Sequence, residues 1–255
     1  MSFLKYEDVL IQVAGESIFA NQASVKVSAP VEPVRLFDGS IHRYAPMEAA
    51  RGTLSFSHYL TGSIASFLDV TGVSEASVAG TFGGLAFSKA YLTSMDFSVK
   101  PYSPILVNNS FDLYGSFTSS VSSSYREDLS KPNQKYSHGI KSFVAGLPSN
   151  INHTLSFDYS MQANRNPVFL AGETTPTRVT KENTNINMSI IGNNIGTNMN
   201  PGGAEANLKC SIYDVNDSTS ALQHFYCSGR ITNQELNVTQ EGYLNGDISV
   251  TQAYQ

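Results

Sequence analysis

Apolar and polar residues alternate with a period of two along eight stretches of the chain, the signature of half-buried β-strands. The apolar positions are Val25 and Val27 in the first stretch, Leu54 and Phe56 in the second, Met95, Phe97 and Val99 in the third, and Phe111 and Leu113 in the fourth. The second half carries Leu155, Phe157 and Tyr159, then Ile186, Met188 and Ile190, then Leu236 and Val238, then Ile248 and Val250. Each stretch has one apolar and one polar face. The pattern therefore predicts a mainly β protein of one or two antiparallel sandwich or barrel domains. One short flanking helix is predicted after the second stretch, where Ser63 caps a turn bearing Ile64, Phe67 and Leu68 and Gly72 ends it.

The stretches fall into two series of four, which points to an internal duplication. Val25 and Val27 match Leu155 and Phe157, Leu54 and Phe56 match Ile186 and Met188, and Met95, Phe97 and Val99 match Gln234, Leu236 and Val238. Phe111 and Leu113 match Ile248 and Val250, and the tripeptide Val13 to Gly15 returns at Val144 to Gly146. The competing explanation is generic: alternating strands slide into register with one another, and identity between the halves is poor. Between the series, Ser116 to Lys135 is Ser-rich and then charged, with Pro132, as a solvated linker or crossing arm would be.

The first two stretches are separated by a long excursion, 29–52, that mixes three prolines with charged and apolar side chains. Its candidate interaction residues are Arg35, Phe37, Asp38, His42, Arg43, Tyr44, Met47, Glu48 and Arg51. A long loop that cannot bury its own apolar content is expected to be an interaction arm.

Composition narrows the classes. Of the 255 residues only 15% are charged, and there is no Trp. The formal net charge of −5, without a basic stripe, argues against a surface that grips nucleic acid through phosphates. The two cysteines, Cys210 and Cys227, do not make a disulfide framework, although they leave open either one pair or two buried thiols. Lys5, Glu7 and Asp8 interrupt the apolar core that a signal peptide would need, and no run approaches the length of a spanning helix, so no membrane insertion is expected.

No constellation of catalytic residues stands out. The histidines, His42, His58, His138, His153 and His224, show no metal-ligand spacing. Asp214 to Ser220 has Thr219 and Phe225 where a calcium loop needs Gly and Glu. Thr81 to Phe87, TFGGLAF, lacks the Lys-Ser/Thr ending of a phosphate loop and reads as a tight bend or close backbone approach. Asp96 with Asp112, or Glu235 with Asp247, could face one another across a hairpin as glycosidase carboxylates do, but no aromatic sugar platform accompanies them. The expectation is a protein that is not an enzyme and uses no cofactor. On the polar faces the carboxylates Asp96, Asp112, Asp158, Glu235 and Asp247 are set against one base, Lys26. Such a surface is either mildly repellent to a polyanion or an ordinary solvent face.

The segment SGRITNQELNVTQEGYLNGDISV, from Ser228 to Val250, resembles the C-terminal signature of bacteriophage tail tube proteins. The order strand, Pro-containing loop, RGTLSFSHYLTG and short helix is similar to the first part of that fold. The resemblance implies residues 1–118 as a first tube-like β domain, 119–135 as a linker or crossing arm and 136–255 as a second tube-like domain. It implies a structural virion protein of the tail, assembled in the host bacterial cytoplasm, whose stacked rings conduct genome DNA without binding it specifically. Its partners would be other copies of itself, as a pseudo-hexameric trimer or a hexamer, and other tail proteins. The five carboxylates would face the lumen, and the arm would reach a neighbouring subunit or ring. Two alternatives stand beside it: a neck or baseplate ring protein, and a β-sandwich module that binds carbohydrate or a cell surface.

Overall fold

A computed structural model describes residues 11–60, 77–100, 103–119, 154–193, 202, 205–214, 217–238 and 244–254. The described residues form β1 (Ile11–Val13), β2 (Glu16–Ile18), β3 (Ala20–Ser28), β4 (Val31–Arg35), β5 (Ile41–Pro46), β6 (Arg51–Tyr59) and β7 (Val78–Phe82). These are followed by β8 (Leu85–Val99), β9 (Leu106–Ser119), β10 (Thr154–Val168), β11 (Arg178–Asn193), β12 (Glu205–Asp214), β13 (Asp217–Asn237) and β14 (Asn245–Tyr254). All pairing is antiparallel. The fold is mainly β, and the eight stretches predicted from alternation fall on strands, with Val238 one residue past the end of β13. The predicted helix at 63–72 and the segment 120–135 lie outside the described residues. Ser116 to Ser119, expected as the first residues of the linker, belong to β9.

One sheet runs β3-β6-β9-β8-β10-β11-β14-β13-β12, and β7, β1 and β2 attach beside the first part of β8. Strand β8 makes this branching possible through its length. One of its edges pairs with β9, while the other takes β7 along Leu85–Ala90 and β10 along Ser94–Val99. The turn from β7 to β8 consists of Gly83 and Gly84, both at positive φ, which suits a two-residue hairpin.

The same pairing order occurs twice. Strands β3-β6-β9-β8 are joined as β10-β11-β14-β13 are, and β7 adjoins β8 as β12 adjoins β13. The irregularities correspond too. Thr93 is an extra residue between Leu92↔Phe111 and Ser94↔Ser110, and Thr232 is extra between Ile231↔Val250 and Asn233↔Ser249. Thr93 Oγ1 donates to the Ser110 carbonyl (3.0 Å), and Thr232 Oγ1 donates to the Ser249 carbonyl (3.4 Å). A second bulge falls between Ala20 and Gln22 on β3, and another between Thr154 and Ser156 on β10. The ladders set Val25 opposite Leu54 as Tyr159 is set opposite Met188, so Val25 corresponds to Tyr159 instead of Leu155. Leu54 likewise corresponds to Met188, and Phe111 to Val250, instead of the positions expected from alternation. Only the match of Phe97 to Leu236 keeps its expected register.

The first part of β13 leaves the sheet and lies across its face. In sheet order β10 and β13 are separated by β11 and β14, which on a flat sheet would place them about 14 Å apart. Yet the Phe225 ring centroid lies 4.6 Å from that of Phe97 and 5.0 Å from that of Tyr159. Two layers follow, with Phe97, Phe157, Tyr159, Met188, Ile190, Phe225, Ile248 and Val250 in a single core. The crossing requires glycine: a Cβ on Gly229 would overlap the Thr251 carbonyl oxygen. Cys210 and Cys227 are free and buried in this core, and burial pushes the Cys227 thiol up to about 12.

One polar pair is built into the first half of the core. Asn109 is buried and donates through Nδ2 to Nδ1 of His58 (3.2 Å), holding the imidazole in its neutral form. Burial lowers the His58 pKa from 6.5 to about 4. Below pH 6.5 the unfolded chain takes up a proton that the folded chain refuses until about pH 4, so stability falls as pH drops through that window. Chemical denaturation at pH 7 and at about pH 5 should differ by on the order of 2 kcal/mol, and His58→Gln should flatten that slope. An equal slope in the variant would contradict the assignment.

Candidate functional site

The side of the sheet opposite the core is a continuous polar face. It has this character because the alternation within each strand is kept in register from strand to strand. Asp96 lies opposite Ser160, Ser160 opposite Asn187, and Asn187 opposite Thr251. Ser98, Asp158, Ser189 and Ser249 form the next row. These rows border a concavity of about 720 Å³ that spans β9, β8, β10, β11, β14 and β13.

The expected carboxylates do not form one cluster. Asp96 and Asp158 are exposed and line the concavity. Asn108 Nδ2 donates to Asp96 at 2.8 Å. Asp247 is half-buried and accepts from Ser189 Oγ at 2.8 Å, and it lies opposite Glu235 in the ladder. Glu235 is exposed at the margin of the sheet and accepts from Asn237 Nδ2 at 2.9 Å.

Asp112 stands apart, at the β3-β6 end. Burial raises its pKa, opposed by the Tyr114 hydroxyl and by the charges of Arg165 and Arg51. The Tyr114 hydroxyl donates to it at 3.4 Å. Lys26, Arg51 and Asp112 border a second concavity of about 320 Å³. The expectation of a single base on the polar face is therefore corrected. Arg165 was missed because nothing in its local pattern brings it to Tyr91, over whose ring its guanidinium lies at 5.7 Å. Of the neutral part of the site, Asn187 and Ser189 were visible in sequence as polar positions of the alternation, while Asn108, Ser160 and Thr251 lie just beyond the alternating stretches.

The excursion 29–52 is an ordered hairpin instead of a loop. Strands β4 and β5 pair only with each other among the described residues. Its tip is fixed by Asp38, which accepts from the Ser40 backbone N–H (2.9 Å) and the Ser40 hydroxyl (2.6 Å), and by Arg35, which donates to the Gly39 carbonyl (3.1 Å). The Ser40 bonds hold the Asp38 carboxyl below its ordinary range. His42, Arg43 and Glu48 are exposed, and Val31, Leu36, Phe37, Ile41, Tyr44 and Met47 present exposed apolar side chains on the same hairpin. Arg51 is not part of the arm: it opens β6 and lies 5.7 Å from the Phe169 ring centroid.

Among the described residues no three His, Cys, Asp or Glu side chains converge as metal ligands. Compared with known protein families and with curated proteins, the sequence matches none.

The rows of hydroxyls and amides around Asp96 and Asp158 give phosphates no cation. Converting both to lysine, as D96K with D158K, should create binding to duplex DNA that disappears steeply as salt rises, because each ammonium displaces a condensed counterion. A filter-binding titration between low and moderate salt measures this. DNA binding by the unaltered protein as strong as that of the variant would refute the electrostatic description.

Proposed function

We propose that this chain is a ring-forming structural subunit of a bacteriophage tail tube, with its polar face turned to the lumen. The observation that carries the proposal is the repetition of one five-strand pairing scheme side by side in a continuous sheet. A unit that already adjoins its own repeat in one sheet is suited to propagate around a ring. We infer descent from a duplicated domain, so that three chains would supply six equivalent units.

Three features support the reading. The concave face is polar and carries exposed carboxylates at Asp96 and Asp158, so genome DNA would pass without adhering. The β4–β5 hairpin offers an apolar surface that calls for a partner, in keeping with contact to a neighbouring ring. The described residues are held by β-ladders and core packing. Other tail proteins would meet the ends of the tube. Assembly would take place in the host bacterial cytoplasm before incorporation into the virion.

Negative-stain electron microscopy of the purified protein should show rings of uniform bore and stacked tubes. Replacing Phe37 and Met47 with Asp should leave rings that no longer stack. A monodisperse monomer at high concentration would overturn the proposal.

A further inference from the structure

The joint between the two halves is a ladder of Ser94–Val99 on β8 with Phe157–Gln162 on β10. Its core side buries Phe97 and Tyr159, which are 4% and 3% exposed, together with Met95, Val99, Phe157 and Met161. Because the pairing scheme repeats, the chain contains one more copy of each side of that joint. The equivalent of Ser94–Val99 is Asn233–Val238, through the shared bulge at Thr93 and Thr232. The equivalent of Phe157–Gln162 is Ala23–Ser28, through the ladders to β6 and β11.

Neither of these edges is paired within the chain among the described residues. Strand β3 pairs only with β6, and beyond Arg230 β13 pairs only with β14. Both carry apolar side chains that the intact joint would bury: Leu236 is 47% exposed, Val238 72% and Val27 37%. Ala23 and Val25 are half-buried against the core, so β3 already presents the inner part of an apolar seat. A bare edge of this kind templates strand addition.

We infer that the occupant of each edge is the complementary edge of a second copy of this chain, β13 of one copy pairing antiparallel with β3 of the next. Carrying the internal ladder across the repeat fixes the register. Leu236 lies opposite Val25, Val238 opposite Ala23, Gln234 opposite Val27, Asn237 opposite Ser24, and Glu235 opposite Lys26. The last pair was not used in deriving the register, and it joins opposite charges on the polar face, where like charges would oppose pairing. Pairing of an edge with its own kind supplies no such match. The contact is head-to-tail, so it propagates until the rotation closes a ring. It gives the proposed ring its contact surface and rests on that reading for closure alone.

Opposed Cα atoms in an antiparallel ladder lie about 4.5–5.5 Å apart, within disulfide range, and the native thiols are buried. Under mild oxidation a chain carrying both K26C and E235C should give a ladder of covalent oligomers ending at three chains. Either cysteine alone should leave monomer on a non-reducing gel. Independently, E235K should abolish assembly, and adding K26E should restore it, with unchanged melting curves showing that each variant folds. Rings without a covalent ladder, or cross-linking by a single variant, would overturn the pairing while leaving the tube reading intact. A ladder running past three chains would sustain the pairing and overturn three-chain ring closure.

Discussion

The six-residue ladder between β8 and β10 ties the molecule together. It joins the two repeated units in one sheet, and its apolar side receives Phe225 from the overlying part of β13. Its polar side places Asp96 and Asp158 in the same concavity. A shift of β10 by one residue against β8 would turn Tyr159 out of the core and bury Asp158 without a cation. The bulges at Thr93 and Thr232 matter for the same reason. The bulge at Thr93 re-aims β8 so that Met95, Phe97 and Val99 keep their apolar side on the core at the joint with β10.

From this constraint the rest of the architecture follows. The long strands change partner partway along: β8 passes from β7 to β10, and β13 passes from β12 to β14. Long strands with two partners let a short hairpin fold over the sheet while the remaining length continues it. At Gly229 the crossing backbone has no room for a side chain, so this change of layer is written into a single residue.

The alternation that revealed β6, β9, β11 and β14 was legible because both of their faces obey it, as with Leu54 and Phe56 or Ile248 and Val250. Strands β4 and β5 were not legible because Pro30, Pro33 and Pro46 and the scattered charges resemble a loop. Their backbones pair with each other without either burying a regular apolar face. Leu155 was misassigned because the bulge between Thr154 and Ser156 turns it outward, to 40% exposure. Leu236 and Val238 were recognised as apolar, but alternation does not say whether a face is covered, and within the chain these two are not. The polar site was legible as residue types only. Separating Asp112 from Asp96 and Asp158 took the tertiary placement of Arg165 and Arg51, which no local pattern contains.

The central claim is that the internal joint is repeated between chains, so that residues 23–28 and 233–238 become interior ladder positions. Amide hydrogen exchange on assembled and dissociated protein addresses this directly. The account predicts that both segments become protected together on assembly, to the level of Ser94–Val99 and Phe157–Gln162. Protection confined to the β4–β5 hairpin, with the two edges exchanging as fast in the assembly as in the monomer, would contradict it.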